Sequence, residues 1–101
     1  MSPRRQEGGT VVMILKVGAS TETGSLKKSI TENIKTHKQV YVDCIGDKAN
    51  YIATRAIIFA KMQMPENRTI DASPTLVILD TPRGERRGIR WIVKEKKHET
   101  V

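Results

Sequence analysis

Two short runs rich in β-branched residues, 11–17 (VVMILKV) and 39–45 (QVYVDCI), each lead through a turn into a stretch with helical periodicity. That alternation restricts the chain more than any other feature it has. The first, a continuous apolar run, reads as a strand covered on both faces, and the second reads as a further strand. After the first run, GASTETG is a loop, and then Leu26, Ile30 and Ile34 recur every four residues on one helix face. Thr23 or Ser25 is placed to accept from the free N–H groups at the start of that helix. Its other face carries Lys27, Lys28, Glu32 and Lys35. After the second run, Gly46 and Asp47 end the strand, and Asp47 is a candidate N-cap for a second helix over 48–62.

The remainder reads as a polar linker over 63–73, a strand over 75–80 (TLVILD), a turn in TPRGERRG and a last strand over 88–94 (GIRWIVK). The expected order is strand, helix, strand, helix, strand, strand. With right-handed crossovers, both helices fall on one face of a mixed four-stranded sheet, a two-layer α/β (α+β) architecture. The expected domain spans 10–95. Residues 1–9 (MSPRRQEGG) read as a flexible basic arm, because they offer little apolar surface to bury, and 96–101 as a polar tail.

The second helix has more apolar surface than one sheet needs. Ala49, Ile52, Ala53, Ala56, Ile57 and Ala60 make one stripe of small and branched residues, while Tyr51, Ile58, Phe59 and Met62 lie off it. A helix apolar on more than one face is deep in a large core or pressed against a partner. A chain of 101 residues has only a modest core. The second explanation is preferred, so these four residues are the expected interface of a homodimer.

Several function classes receive no support. No apolar run approaches the roughly 20 residues of a membrane span, and the run from Val11 to Leu15 is shorter than a signal-peptide core. A cytoplasmic location is expected. Cys44 is the only cysteine, so no internal disulfide and no cysteine-rich zinc site can form; it reads as a buried strand residue. His37 and His98 read as helix-end or surface residues without a metal-ligand pattern. No nucleophile–base pairing or convergent carboxylate pair is evident. No catalytic activity, metal or cofactor is expected.

Charge points elsewhere. The net charge is +7, which favours a polyanionic partner. Residues 83–101 hold seven Lys or Arg against three acids, whereas 62–82 hold one against three. Arg83, Arg86 and Arg87 cluster at the hairpin turn, and Arg90 follows in the last strand. Guanidinium forks suit phosphate oxygens. Gly46 before a helix N-terminus, with Lys48 beside it, is a further candidate for anion contact. Tyr41, Tyr51, Phe59 and Trp91 all fall in expected elements, so base stacking on exposed rings is poorly supported. Backbone and groove contacts of low sequence specificity are favoured.

The chain resembles the Alba superfamily, and stage V sporulation protein S in particular. The resemblance is carried by Ile14-Leu15-Lys16-Val17 with Gly18-Ala19-Ser20, by Cys44-Ile45-Gly46, by Ala49 and Ala53…Ala56-Ile57, and by Gly84-Glu85-Arg86 with Ile89-Arg90…Ile92-Val93. It covers roughly residues 13 to 94. It implies a small α/β fold that dimerises through its second helix and neighbouring strands, with a hairpin arm from each subunit reaching into the minor groove of nucleic acid. Arg83, Arg86 and Arg87 would then be the arm residues. Archaeal Alba proteins carry a lysine pair in the loop after the first strand. Here the loop from Gly18 to Gly24 has no basic residue and contains Glu22, and Lys27 and Lys28 come later, inside the helix. The expected function is non-catalytic binding of DNA or RNA by a regulatory dimer. The alternative is a regulatory protein–protein module using the same arm and helix.

Overall fold

A computed structural model describes residues 2–5 and 11–97. They form β1 (Ser2–Arg5), β2 (Val11–Val17), α1 (Thr23–His37), β3 (Gln39–Cys44), α2 (Asp47–Met62), β4 (Arg68–Thr81) and β5 (Gly84–Lys97). The sheet order is β1-β2-β3-β5-β4. β2 and β3 run parallel, and every other neighbouring pair is antiparallel. From Val11 onward this is the expected β-α-β-α-β-β order around a mixed sheet of four strands.

The strand period decides which residues meet the helices. Val40, Val42 and Cys44 of β3 face inward, aligned with Met13, Leu15 and Val17 of β2 and with Val93, Trp91 and Ile89 of β5. Against them pack Leu26, Ile30 and Ile34 of α1 and the whole stripe from Ala49 to Ala60 of α2. The alanines let α2 lie close to the sheet. Ile30 and Ile34 are fully buried, and each contributes about 1.5–3 kcal/mol by leaving water. Asn50 ties helix to sheet: its Oδ1 accepts from Trp91 Nε1–H at 3.0 Å and from the Cys44 thiol at 3.5 Å. Cys44 is 2 % exposed, in the strand where the sequence put it.

The structure corrects five local expectations. Thr23 is the first residue of α1, after Glu22, and neither Thr23 nor Ser25 caps it; Asp47 is likewise the first residue of α2, and Gly46 is its N-cap. An acid in the first turn still suits the helix dipole. The polar stretch from residue 68 is not linker but the start of β4. Pro74 lies inside that strand, which is possible because β4 is the sheet edge. β5 begins at Gly84 and ends at Lys97, so Arg86 and Arg87 belong to a strand rather than a turn. Glu95 is held in β5: its N–H donates to Lys38 O, and its carboxylate meets Arg68 at 3.0 Å and Lys38 at 3.1 Å. Residues 2–5, read as part of a flexible arm, pair antiparallel with Val11–Ile14. Residues 1, 6–10 and 98–101, including His98, lie outside the described residues.

Candidate nucleic-acid interface

β4 and β5 are paired along their whole length, but β3 pairs with β5 only from Ile89 to Lys94. From Gly88 to the turn, the hairpin is therefore a two-stranded arm, with no third strand among the described residues. Pro82 and Arg83 make the turn. Thr81 Oγ1 accepts the Arg83 N–H at 3.1 Å and donates to Gly84 O at 2.7 Å. Gly84 has φ 100°, a conformation that a side chain would strain. At the base of the arm, a Cβ on Gly88 would sit 2.7 Å from Leu79 Cδ1 and 2.8 Å from Cys44 O. Only glycine allows β5 to pass this close to the end of β3.

Arg83, Arg86 and Arg87 are all exposed, and none forms an ion pair among the described residues. They do not form one surface. Adjacent strand residues point to opposite faces, so Arg86 and Arg87 are divided. Arg86 lines a cleft with Lys16 and Arg90 on the side away from the helices. Arg87 lines a shallow depression with Gly46, Asp47 and Asn50 at the start of α2. Lys48 is exposed in the first turn of α2, next in sequence to Asp47. Lys27 lines a third depression with Arg55, Phe59 and Met62 between the helices, and Lys28 is exposed on α1.

Arg90 differs from the other basic candidates. Its Nε and Nη2 donate to the two Asp43 oxygens at 2.8 and 2.9 Å, and its guanidinium lies 4.7 Å from the Tyr41 ring centroid. Asp43 is 4 % exposed. The hydrogen-bonded carboxylate raises the guanidinium's already high pKa, against the opposing effect of burial. The charge of Arg90 is thus answered inside the protein.

The four apolar residues singled out on α2 are exposed in the single chain: Tyr51 63 %, Ile58 49 %, Phe59 38 % and Met62 74 %. Arg55 stands between two of them, 5.6 Å from the Tyr51 ring centroid and 5.5 Å from that of Phe59. Sequence reasoning missed Arg55, although its spacing of four from both rings places all three on one face. It also missed Leu76 and Ile78, exposed on the hairpin at 76 % and 61 %, because an apolar strand residue normally reads as core. Among the described residues, no His, Cys, Asp or Glu cluster could hold a metal, and no helix is long and apolar enough to cross a membrane.

Two crossover helices on one sheet face, followed by a terminal hairpin that outruns the sheet, define an Alba-like fold. The structure is similar to Alba from Thermoplasma volcanium, with a TM-score of 0.55 and 12 % identity, covering 83 % of this chain and 99 % of that one. The likeness is one of fold. A search of curated proteins found no match. The family of stage V sporulation protein S (SpoVS) matches residues 13–96, and the chain belongs to that family.

Proposed function

We propose that this chain is a non-catalytic, cytoplasmic regulatory protein that binds DNA or RNA with low sequence specificity. It does so as a homodimer joined through α2, with the β4–β5 arm as its main contact. The observation that carries this reading is the arm itself, with three exposed arginines that no acid answers by an ion pair among the described residues. Asp80 and Glu85 face each other across the same hairpin, so the tip carries both signs. Arginine forks can still pair with phosphates while the two acids discourage deep burial of the tip in an anionic groove. Arg87, which lines a depression with Gly46 and Asp47, and Lys48, in the first turn of α2, extend the basic surface; Lys27 and Lys28 contribute less. Arg90 supports the base of the arm through Asp43. Low specificity follows from the ring inventory: Trp91 and Tyr41 are engaged in the sheet, and Tyr51 and Phe59 belong to the α2 face.

The test is a salt titration of the wild-type protein and an Arg83→Ala/Arg86→Ala/Arg87→Ala variant on one generic duplex and one RNA. Every arginine that no longer reaches a phosphate flattens the log–log slope by about 0.9 on duplex DNA. A weaker, flatter response with unchanged fold and dimer is expected. Equal affinities and slopes on both ligands would remove the arm from the interface. They would favour a protein partner instead, a reading supported by the exposure of Leu76 and Ile78 on the same hairpin.

A further inference from the structure

On the sheet face away from the helices, the arm overhangs the body and encloses a cleft of about 650 Å³. That is within the range of small-molecule sites, about 300–1,000 Å³. Its body side presents Ile14 and Ile45, and its arm side presents Leu79 and Pro82. The polar groups are arranged by register. Lys16, Asp43 and Arg90 are aligned partners on β2, β3 and β5, so Lys16 sits beside the buried Asp43–Arg90 pair. Arg86 comes from the arm. Lys16 and Arg86 are exposed, line one cleft from two different walls, and have no ion-pair partner among the described residues. Asp43 is satisfied by Arg90 in a bidentate pair and does not neutralise them. Asp80, the other acid in the lining, is exposed on the arm.

We infer that this cleft binds a small phosphorylated molecule of nucleoside monophosphate size, with its phosphate between Lys16 and Arg86. A doubly charged group answers cations on two walls at once, and the arginine fork can take two of its oxygens. The apolar walls suit a planar, weakly polar body. Asp80 offers an acceptor for a sugar hydroxyl or a base amine. A bound molecule touches sheet and arm together and so restrains the arm about its base at Gly88. The site stands independently of the proposed nucleic-acid contact: Lys16 belongs only to the cleft and Arg83 only to the arm tip, whereas Arg86 is shared.

The experiment titrates adenosine monophosphate, and separately inorganic phosphate, into the full chain at physiological salt while amide NMR signals are followed. Saturable shifts are expected at Lys16, Gly18, Ile45 and Arg86, with the nucleotide binding more tightly than phosphate. Lys16→Ala and Arg86→Ala should each weaken nucleotide binding about tenfold or more, the loss expected for a hydrogen bond to a charged group. Arg83→Ala should leave it unchanged, and all variants should keep the wild-type spectrum elsewhere. Absence of saturable shifts at millimolar ligand, or unaltered binding by Lys16→Ala, overturns the site. Equal affinity for phosphate and nucleotide overturns the nucleotide assignment. Duplex binding on the same samples separates the two readings: Lys16→Ala should retain it, and a wild-type protein that takes the nucleotide but ignores duplex defeats the proposed function alone.

Discussion

Asp43 and Arg90 join neighbouring strands where no helix covers them, and the strength of that join lies in its geometry. With both carboxylate oxygens engaged and Asp43 nearly inaccessible, removal of either partner strands a charge. Arg90→Ala should lower the free energy of unfolding by about 3–5 kcal/mol, the range for breaking a buried pair, read from urea denaturation. Asp43→Leu with Arg90→Met should recover most of that loss. A single variant as stable as wild type would show that water reaches the pair freely. The sequence could not announce this partnership. Arg90 sits among basic residues and alternates with apolar ones, the pattern of a solvated face, and its partner is 47 positions away. The neighbouring thiol is governed by burial first and by the Asp43 charge second, and both raise its pKa above the ordinary 9.0. Cys44 should therefore react slowly with a polar alkylating reagent at mildly alkaline pH, and rapid labelling of the native protein would contradict this. Because the unfolded thiol ionises first, this group's contribution to stability is intact below pH 9.0 and declines above it. Cys44→Ala should remove that alkaline decline.

The two helices and the hairpin differ in how openly the sequence declares them. α1 and the inward stripe of α2 were legible because a single spacing rule places the apolar residues that reach the core: Leu26, Ile30 and Ile34 on one helix and Ala49 through Ala60 on the other. The hairpin was legible only in its middle. Its first residues, RTIDASP, contain polar groups and a proline, and they form a strand because β5 supplies the pairing, which no local pattern records. The start of β5 at Gly84 changes the site as well, since a period of two separates Arg86 from Arg87 where a turn would have left them together. The outer face of α2 remains the element-level question. Ile58→Asp should yield a monomer with the wild-type helical signal, measured by sedimentation equilibrium. The buried stripe does not include residue 58, so the single fold should survive. A wild-type chain that sediments as a monomer at high micromolar concentration would sink the proposed interface.

At the scale of the molecule, the hairpin sets the shape. Fourteen residues at about 3.4 Å each span about 48 Å, and the longest extent of the protein is 48 Å against 21 Å for the shortest. Such a strand also leaves a long flank. β1 and β4 are the outermost strands of the sheet, and β4 offers one side along its fourteen residues with no strand paired to it among the described residues. An open flank of that length is a template on which another chain can add, and repeated addition makes fibres. Pro74 breaks the template near its midpoint, because it has no N–H to give, and Asp71 and Asp80 place charge on either side of it. Pro74→Val should leave the single chain folded yet raise light scattering with time and concentration, and a variant that stays monodisperse at the wild-type level would assign the protection to charge alone. The same proline that obscured the strand in the sequence thus acts as a terminator of growth, keeping a protein built around one long exposed ribbon from polymerising along it.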